Sequence, residues 1–208
     1  MGHFITLEGP DGGGKSTQLR LLLPKLRRRG FEVVALGEPG GTALGQAIRQ
    51  LVLDPGRVIC PQAEVLLYAA SRAQVVHEVV LPSLREGKVV VLERFLDSSL
   101  AYQAAGLGIP PEHVLEVNRL ATEGLEPDLT ILLDIDPGWA RQHRLTGNPD
   151  RIEGRDEEYQ RRVREGFLDV ARAHPERVKV VDGTLPVREV ERIVWHLVEE
   201  SLHRAGLL

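Results

Sequence analysis

The octet Gly9-Pro10-Asp11-Gly12-Gly13-Gly14-Lys15-Ser16 fits G-x-x-x-x-G-K-[ST] in full, with Thr17 following it. An apolar run at residues 4–8 precedes it and a helix-period segment at 18–29 follows, the strand–loop–helix context in which this motif cradles phosphate. Three successive glycines let the backbone turn tightly and point its N–H groups inward. The helix N-terminus behind them adds partial positive charge where phosphates would lie. Lys15 would reach the β- and γ-phosphates, and the Ser16 hydroxyl would take one position on Mg²⁺.

The rest of the chain repeats the same alternation. Apolar runs at 4–8, 31–36, 89–92, 129–134 and 178–181 read as strands; most are short, rich in Val, Ile and Leu and without polar alternation, as strands covered on both faces are. Helix-period segments at 18–29, 43–53, 63–85, 111–122, 137–143, 156–174 and 187–203 separate them. Strands joined by helices give right-handed crossovers and a parallel sheet with helices on both sides. With no linker, repeat or composition shift, one domain over 1–208 is expected. Residues 145–154 (LTGNPDRIEG) carry the turn chemistry of a loop.

Composition excludes several classes. The 208 residues are 42% apolar and 27% charged, ordinary for a globular chain. A net charge of −4 offers no basic field for duplex nucleic acid. Cys60 is the single cysteine, so no internal disulfide can form. The longest stretch without Asp, Glu, Lys or Arg is the fourteen residues 98–111, short of the roughly 20 a membrane-spanning helix needs. Gly2 and Thr6 fit a myristoylation pattern, but residues 3–7 read as the first buried strand, so the match is accidental. No signal layout opens the chain, so a cytoplasmic protein is expected. None of the seven His shows metal-site spacing.

A phosphate cradle serves switches and phosphotransferases alike; a second site for an acceptor separates them. Three clusters sit near strand C-termini, where open α/β sheets bind ligands. The first, Gly37-Glu38-Pro39-Gly40-Gly41-Thr42, reads as a turn with Thr42 capping a helix, which leaves Glu38 unexplained. The second, Glu93-Arg94-Phe95, joins an acid that can orient Mg²⁺-bound water to a fork that can clamp phosphate; a surface ion pair gives the same local pattern. In the third, Tyr68 and Arg72 share a helix face at i, i+4, where ring and guanidinium could hold a planar base. A core Tyr beside a surface Arg would look the same.

Six segments in order carry a family resemblance: LEGPDGGGKSTQ (7–18), EPGGT (38–42), LLYAASRAQ (66–74), ERFLDSSLAYQ (93–103), DRIE (150–153) and VREGF (163–167). Together they make the chain resemble the thymidylate kinases of bacterial type, a branch of the P-loop nucleoside monophosphate kinases, over nearly its whole length. The resemblance implies a three-layer α/β P-loop fold with five parallel strands, helices on both faces and a short lid at about 144–155. It implies ATP and dTMP as substrates, Mg²⁺ as cofactor, dTDP as product and a homodimer, with the 63–85 helix as a candidate interface and no nucleic acid or membrane partner. Arg94 matches the arginine gripping the acceptor phosphate, Arg72 the one bonding thymine, and Tyr68 an aromatic stacking on the base. Glu38, Pro39, Ser98 and Ser99 fall in the acceptor pocket, Ser99 where a polar group reads the base edge. Tyr102 matches the ring that leaves no space for a 2′-hydroxyl, and Asp11 an acid near the acceptor sugar and metal.

Pro10–Gly13 carry no basic residue, which implies a catalytic arginine donated by the lid: Arg151 first, Arg144 second. Arg141 corresponds to a platform for adenine, and Asp182-Gly183-Thr184 to the adenine loop. Glu93 stands as the metal-orienting acid with Asp134 as the alternative. Gly37, Ser71, Glu93 and Phe95 depart from the common family residues Arg, Asp, Asp and Tyr. Phosphoryl transfer to an ionised acceptor needs alignment and charge neutralisation rather than a general base, which suits a chain with no nucleophile–base pair. A pocket that separates thymine from uracil by one methyl gains about 1–3 kcal/mol, so dUMP is expected to turn over less efficiently. The rival readings are a kinase of another nucleotide or deoxynucleoside, and a nucleotide switch without an acceptor.

Overall fold

A computed structural model describes residues 2–142 and 149–208, with only the backbone of residue 141. In chain order the elements are β1 (His3–Glu8), α1 (Lys15–Arg28), β2 (Val33–Gly37), α2 (Ala43–Leu53) and α3 (Pro61–Val75). Next come α4 (Leu81–Arg85), β3 (Val89–Glu93), α5 (Leu96–Ser99), α6 (Pro111–Thr122), β4 (Leu129–Asp134), α7 (Pro137–Gln142), α8 (Glu157–Ala173), β5 (Val178–Asp182) and α9 (Val187–Arg204). The five strands form one parallel sheet in the order β2-β3-β1-β4-β5. The strand ending at Glu93 therefore lies beside the one feeding the phosphate cradle, as the sequence led us to expect.

Alternate residues of the strands cover opposite faces. Ile5, Leu7, Val89, Val91, Leu129 and Ile131 pack with Leu22 and Leu26 of α1 and with Val190, Val194, Val198 and Leu202 of α9. Phe4, Val90 and Leu92 point the other way, onto Val76, Val80 and Phe95. Leu132 joins Tyr102, Val163 and Phe167 under α8. Both faces of the three central strands β1, β3 and β4 are thus buried, which is why they read as nearly unbroken apolar runs, whereas the edge strands β2 and β5 are only partly covered.

Two departures from the expected elements matter. The helix anticipated at 63–85 is interrupted: Val76–Val80 form a π-helical turn between α3 and α4. The stretch after β3, with no clear helical period in its sequence, is helical throughout, α5 continuing into a π-helical segment at Leu100–Gly106. Such turns often mark functional sites, and this one carries Tyr102 and Gln103. It lies against α8 at close range: a Cβ on Gly166 would sit 2.6 Å from the Ala105 Cβ. Thr42 caps α2, its Oγ1 accepting from the Gly45 N–H at 3.0 Å. Among the described residues, no helix is long and apolar enough to cross a membrane.

Candidate active site

The cradle opens where β1 ends. Gly9 has φ 132°, and a Cβ there would meet the Leu133 carbonyl at 2.3 Å, so only glycine fits. Gly14, at φ 83°, hands the loop to α1. Lys15 is buried and donates to the carbonyls of Gly9 at 2.9 Å and Pro10 at 2.7 Å. Burial, with Arg94 nearby, pushes its ammonium down to about 8. Ser16 at the first turn of α1 donates to Glu93 at the end of β3, with contacts of 2.8 and 3.0 Å to the two carboxylate oxygens.

Arg94 occupies the seam of the site. Its φ of 72° lies in the left-handed region, unusual for a side chain of this size. Glu8 holds that turn: it accepts from the Phe95 N–H at 2.7 Å, the Ser98 N–H at 3.3 Å and the Ser98 Oγ at 2.6 Å. Burial, then the charge of Asp97, raises the Glu8 carboxyl above its ordinary range. The Arg94 fork donates to the Gly9 carbonyl and Ser98 Oγ, both at 3.1 Å, to the Tyr102 hydroxyl at 3.0 Å, and to Asp11. Tyr102 in turn donates to Asp11 at 3.0 Å. Burial works to raise Asp11, but the charges of Arg94 and Lys15 and the Tyr102 hydroxyl hold it below the usual carboxylate range.

A cavity opens on one side of this seam, lined by Asp11, Glu38, Pro39, Tyr68, Arg72, Arg94, Ser98, Ser99, Tyr102 and Gln103 together with Arg49, Leu53, Asp150 and Ile152. Arg72 is 1% exposed. Its guanidinium donates to Glu38, Ser99 and the Phe95 carbonyl, each at 2.8 Å, and to Asn118. Burial pushes Glu38 up to about 7 against the pull of Arg72, and its Oε1 is buried with no partner among the described residues.

A second cavity lies on the other side of Asp11, between Pro10 and Gly12 of the cradle, Pro137 and Ala140 of α7, and Glu153, Arg155 and Gln160. The structure therefore brings Asp11, Lys15, Ser16, Glu93 and Arg94 together, with Asp11 lining both cavities, and gathers Glu38, Pro39, Tyr68, Arg72, Ser98, Ser99 and Tyr102 in the first.

Arg151 is not in that cluster: it donates to the Val52 carbonyl at 2.7 Å and to Glu64 at 2.7 Å. Arg155 shares Glu64 at 2.5 Å. Arg144 lies outside the described residues; Arg141 belongs to α7, and its side chain also lies outside them. Asp182 folds onto its own loop, accepting from the Thr184 N–H and Oγ1 at 2.9 and 2.6 Å, and the adjacent Gly183 approaches Gly13. Asp134 is occupied by the Arg164 fork, two bonds of 2.8 Å.

Glu8, Glu64, Gln103, Asn118 and Arg155 are site residues the sequence did not single out. Glu8 and Gln103 fall inside the quoted segments 7–18 and 93–103, which is the signal that could have found them.

A family model described as thymidylate kinase matches residues 7–194. A thymidylate kinase of Deinococcus radiodurans is 49% identical over 97% of this chain and 98% of its own length. One from Caldanaerobacter subterraneus is 45% identical, covering 98% of each chain. The crystal structure of thymidylate kinase from Ehrlichia chaffeensis superposes with a TM-score of 0.79 at 31% identity, over 95% of this chain and 98% of that one.

Proposed function

This chain belongs to the thymidylate kinase family, and from that premise we propose how its residues divide the work. It transfers the γ-phosphoryl group of ATP to dTMP, giving dTDP. The observation that carries the division of labour is the position of Arg94, shared between the cradle carbonyl of Gly9 and the acceptor-side pair Asp11–Tyr102. A guanidinium there meets the acceptor phosphate at the mouth of the donor cradle, so two anionic groups are aligned and neutralised together. Gly9 to Thr17 cradle the donor phosphates, with Lys15 exchanging its loop carbonyls for phosphate oxygens. Arg141 and the Asp182 loop take the adenine.

In the acceptor pocket Tyr68 and Arg72 hold the base, with Glu38 fixing Arg72 and Ser99 reading the base edge. Tyr102 closes the space a 2′-hydroxyl would need. Ser16 and Glu93 supply a hydroxyl and a carboxylate, the hard oxygen donors Mg²⁺ favours, and the phosphates and water complete its shell. Bound there, Mg²⁺ would neutralise phosphate charge. No group of three or more acids, His or Cys able to hold a metal occurs among the described residues, which suits an ion held mainly by substrate.

The cradle residues Pro10–Gly13 offer no arginine, so the cation facing the γ-phosphate comes from the lid, which carries Arg144, Arg151 and Arg155. Single substitutions of these three by Met, assayed for kcat at saturating ATP and dTMP, identify it. The lid donor loses on the order of 10³-fold, by analogy with trans-acting arginines. Losses under tenfold in all three would refute lid donation. The protein works as a cytoplasmic homodimer: α2, α3 and α6, which pack side by side, leave Leu51, Leu66 and Leu115 exposed. Sedimentation equilibrium at micromolar concentration gives twice the chain mass if this holds, and the chain mass if it does not.

A further inference from the structure

Glu64 on α3 is a fully buried acid that no step above uses. It sits outside the first cavity but touches a residue that lines it. One oxygen accepts from the Gln103 amide nitrogen at 3.1 Å; the other accepts from Arg151 at 2.7 Å and Arg155 at 2.5 Å. Arg155 also reaches the first oxygen at 3.4 Å and is braced by Tyr159, bonding its hydroxyl at 2.6 Å and stacking on its ring.

We propose that Glu64 is a positioning residue for base selection, acting through the orientation of the Gln103 amide. A carboxylate carrying two guanidiniums can only accept hydrogen bonds. Its partner in Gln103 must therefore be the NH₂ group, and the flipped amide would set two acceptor oxygens against each other. Gln103 is 3% exposed, so it cannot escape into solvent. Its Oε1 has no hydrogen bond among the described residues, and the residue lines the acceptor cavity, so the amide oxygen is the group left to face a ligand there. Glu64 thereby makes this wall an acceptor, while Arg72 makes another part of it a donor.

That pattern has a chemical consequence, given the acceptor-pocket reading above, on which this inference rests. Thymine and uracil carry an N3–H donor beside a C4 carbonyl acceptor. Cytosine reverses both, with a lone pair at N3 and an amino group at C4. A carbonyl and a guanidinium fixed in place pair with the first and leave unpaired groups against the second. Unpaired buried polar groups are the strongest source of discrimination such a site has. An amide free to flip would present NH₂ to the N3 lone pair of cytosine and lose half of that selectivity.

The test measures the ratio of kcat/KM for dTMP to that for dCMP. Glu64→Gln can donate to Gln103 and permits the flip; its ratio falls at least tenfold below wild type, with KM for ATP unchanged. Glu64→Asp still only accepts and keeps most of the ratio. A merely structural role would lower both activities together and leave the ratio intact, and that result overturns the inference. Should Glu64→Gln not fold, Gln103→Leu removes the oriented amide itself, and the ratio again falls; an unchanged ratio there also overturns it. Wild-type turnover of dTMP is the internal control: its absence would break the acceptor assignment itself, whereas turnover with an unmoved ratio breaks only the role of Glu64.

Discussion

The two cavities that meet at Asp11 are built differently. On the acceptor side Arg72 is bonded to Glu38, Ser99, Asn118 and the Phe95 carbonyl and is 1% exposed. The cations proposed above for the donor phosphates hold other partners: Lys15 bonds its own loop carbonyls, and Arg151 and Arg155 share Glu64. The acceptor pocket stands ready before substrate arrives, so little entropy remains to be lost on binding. The donor side must exchange partners. This asymmetry suits a kinase that has to avoid spending ATP on water, because the charge-neutralising cations come into play only when their present bonds are given up.

The largest expected effect comes from breaking the seam between the halves. Arg94→Ala removes the group common to both, and kcat/KM for dTMP falls by about 10³-fold or more. Steady-state kinetics checks this, and a fall below tenfold would detach Arg94 from the reacting phosphates. Next is stability. Glu38→Ala leaves the Arg72 charge buried with no carboxylate, at a cost of about 3–5 kcal/mol in denaturant unfolding. Arg155→Met leaves Glu64 with Arg151 and costs no more than about 1 kcal/mol. Equal losses would erase the contrast between a fixed pocket and an exchangeable lid.

A smaller effect separates the two candidate metal acids. Glu93→Gln raises the Mg²⁺ concentration for half-maximal activity about tenfold. Asp134→Asn leaves it unchanged, since Asp134 is committed to Arg164. The reverse pattern would move the metal to β4. The smallest is a pH effect. Burial lowers Lys15 to about 8, so the free enzyme loses that charge as pH rises through 8. Accordingly kcat/KM for ATP declines above pH 8, several-fold by pH 9. Lys15→Arg removes the decline whatever its overall activity; a flat wild-type profile over pH 7–9 would contradict the burial argument.

Much of this was legible in the sequence, for physical reasons that differ by region. The strands were visible because burial on both faces leaves unbroken apolar runs, as at Leu129–Asp134. The cradle was visible because glycine, lysine and serine are needed at fixed steps. The helix from Leu96 to Gly106 was hidden: its residues are buried nearly all round, so no amphipathic period survives, and π-turns shift what period there is. Glu64 was hidden too, because one acid among thirty Asp and Glu carries no sign of the two arginines that reach it from 87 and 91 residues away. Arg151 could be placed on the lid by its motif, but nothing local shows that its fork rests on Val52 and Glu64.

The central claim is that donor charge is released for work only when an acceptor fills the ready-made pocket. Its most direct test is the rate of ATP consumption by the purified protein at saturating Mg²⁺·ATP, with and without dTMP. The account predicts at least a hundredfold stimulation by dTMP, with one dTDP formed per ATP consumed. Equal rates in the two conditions, or ADP without dTDP, would contradict it.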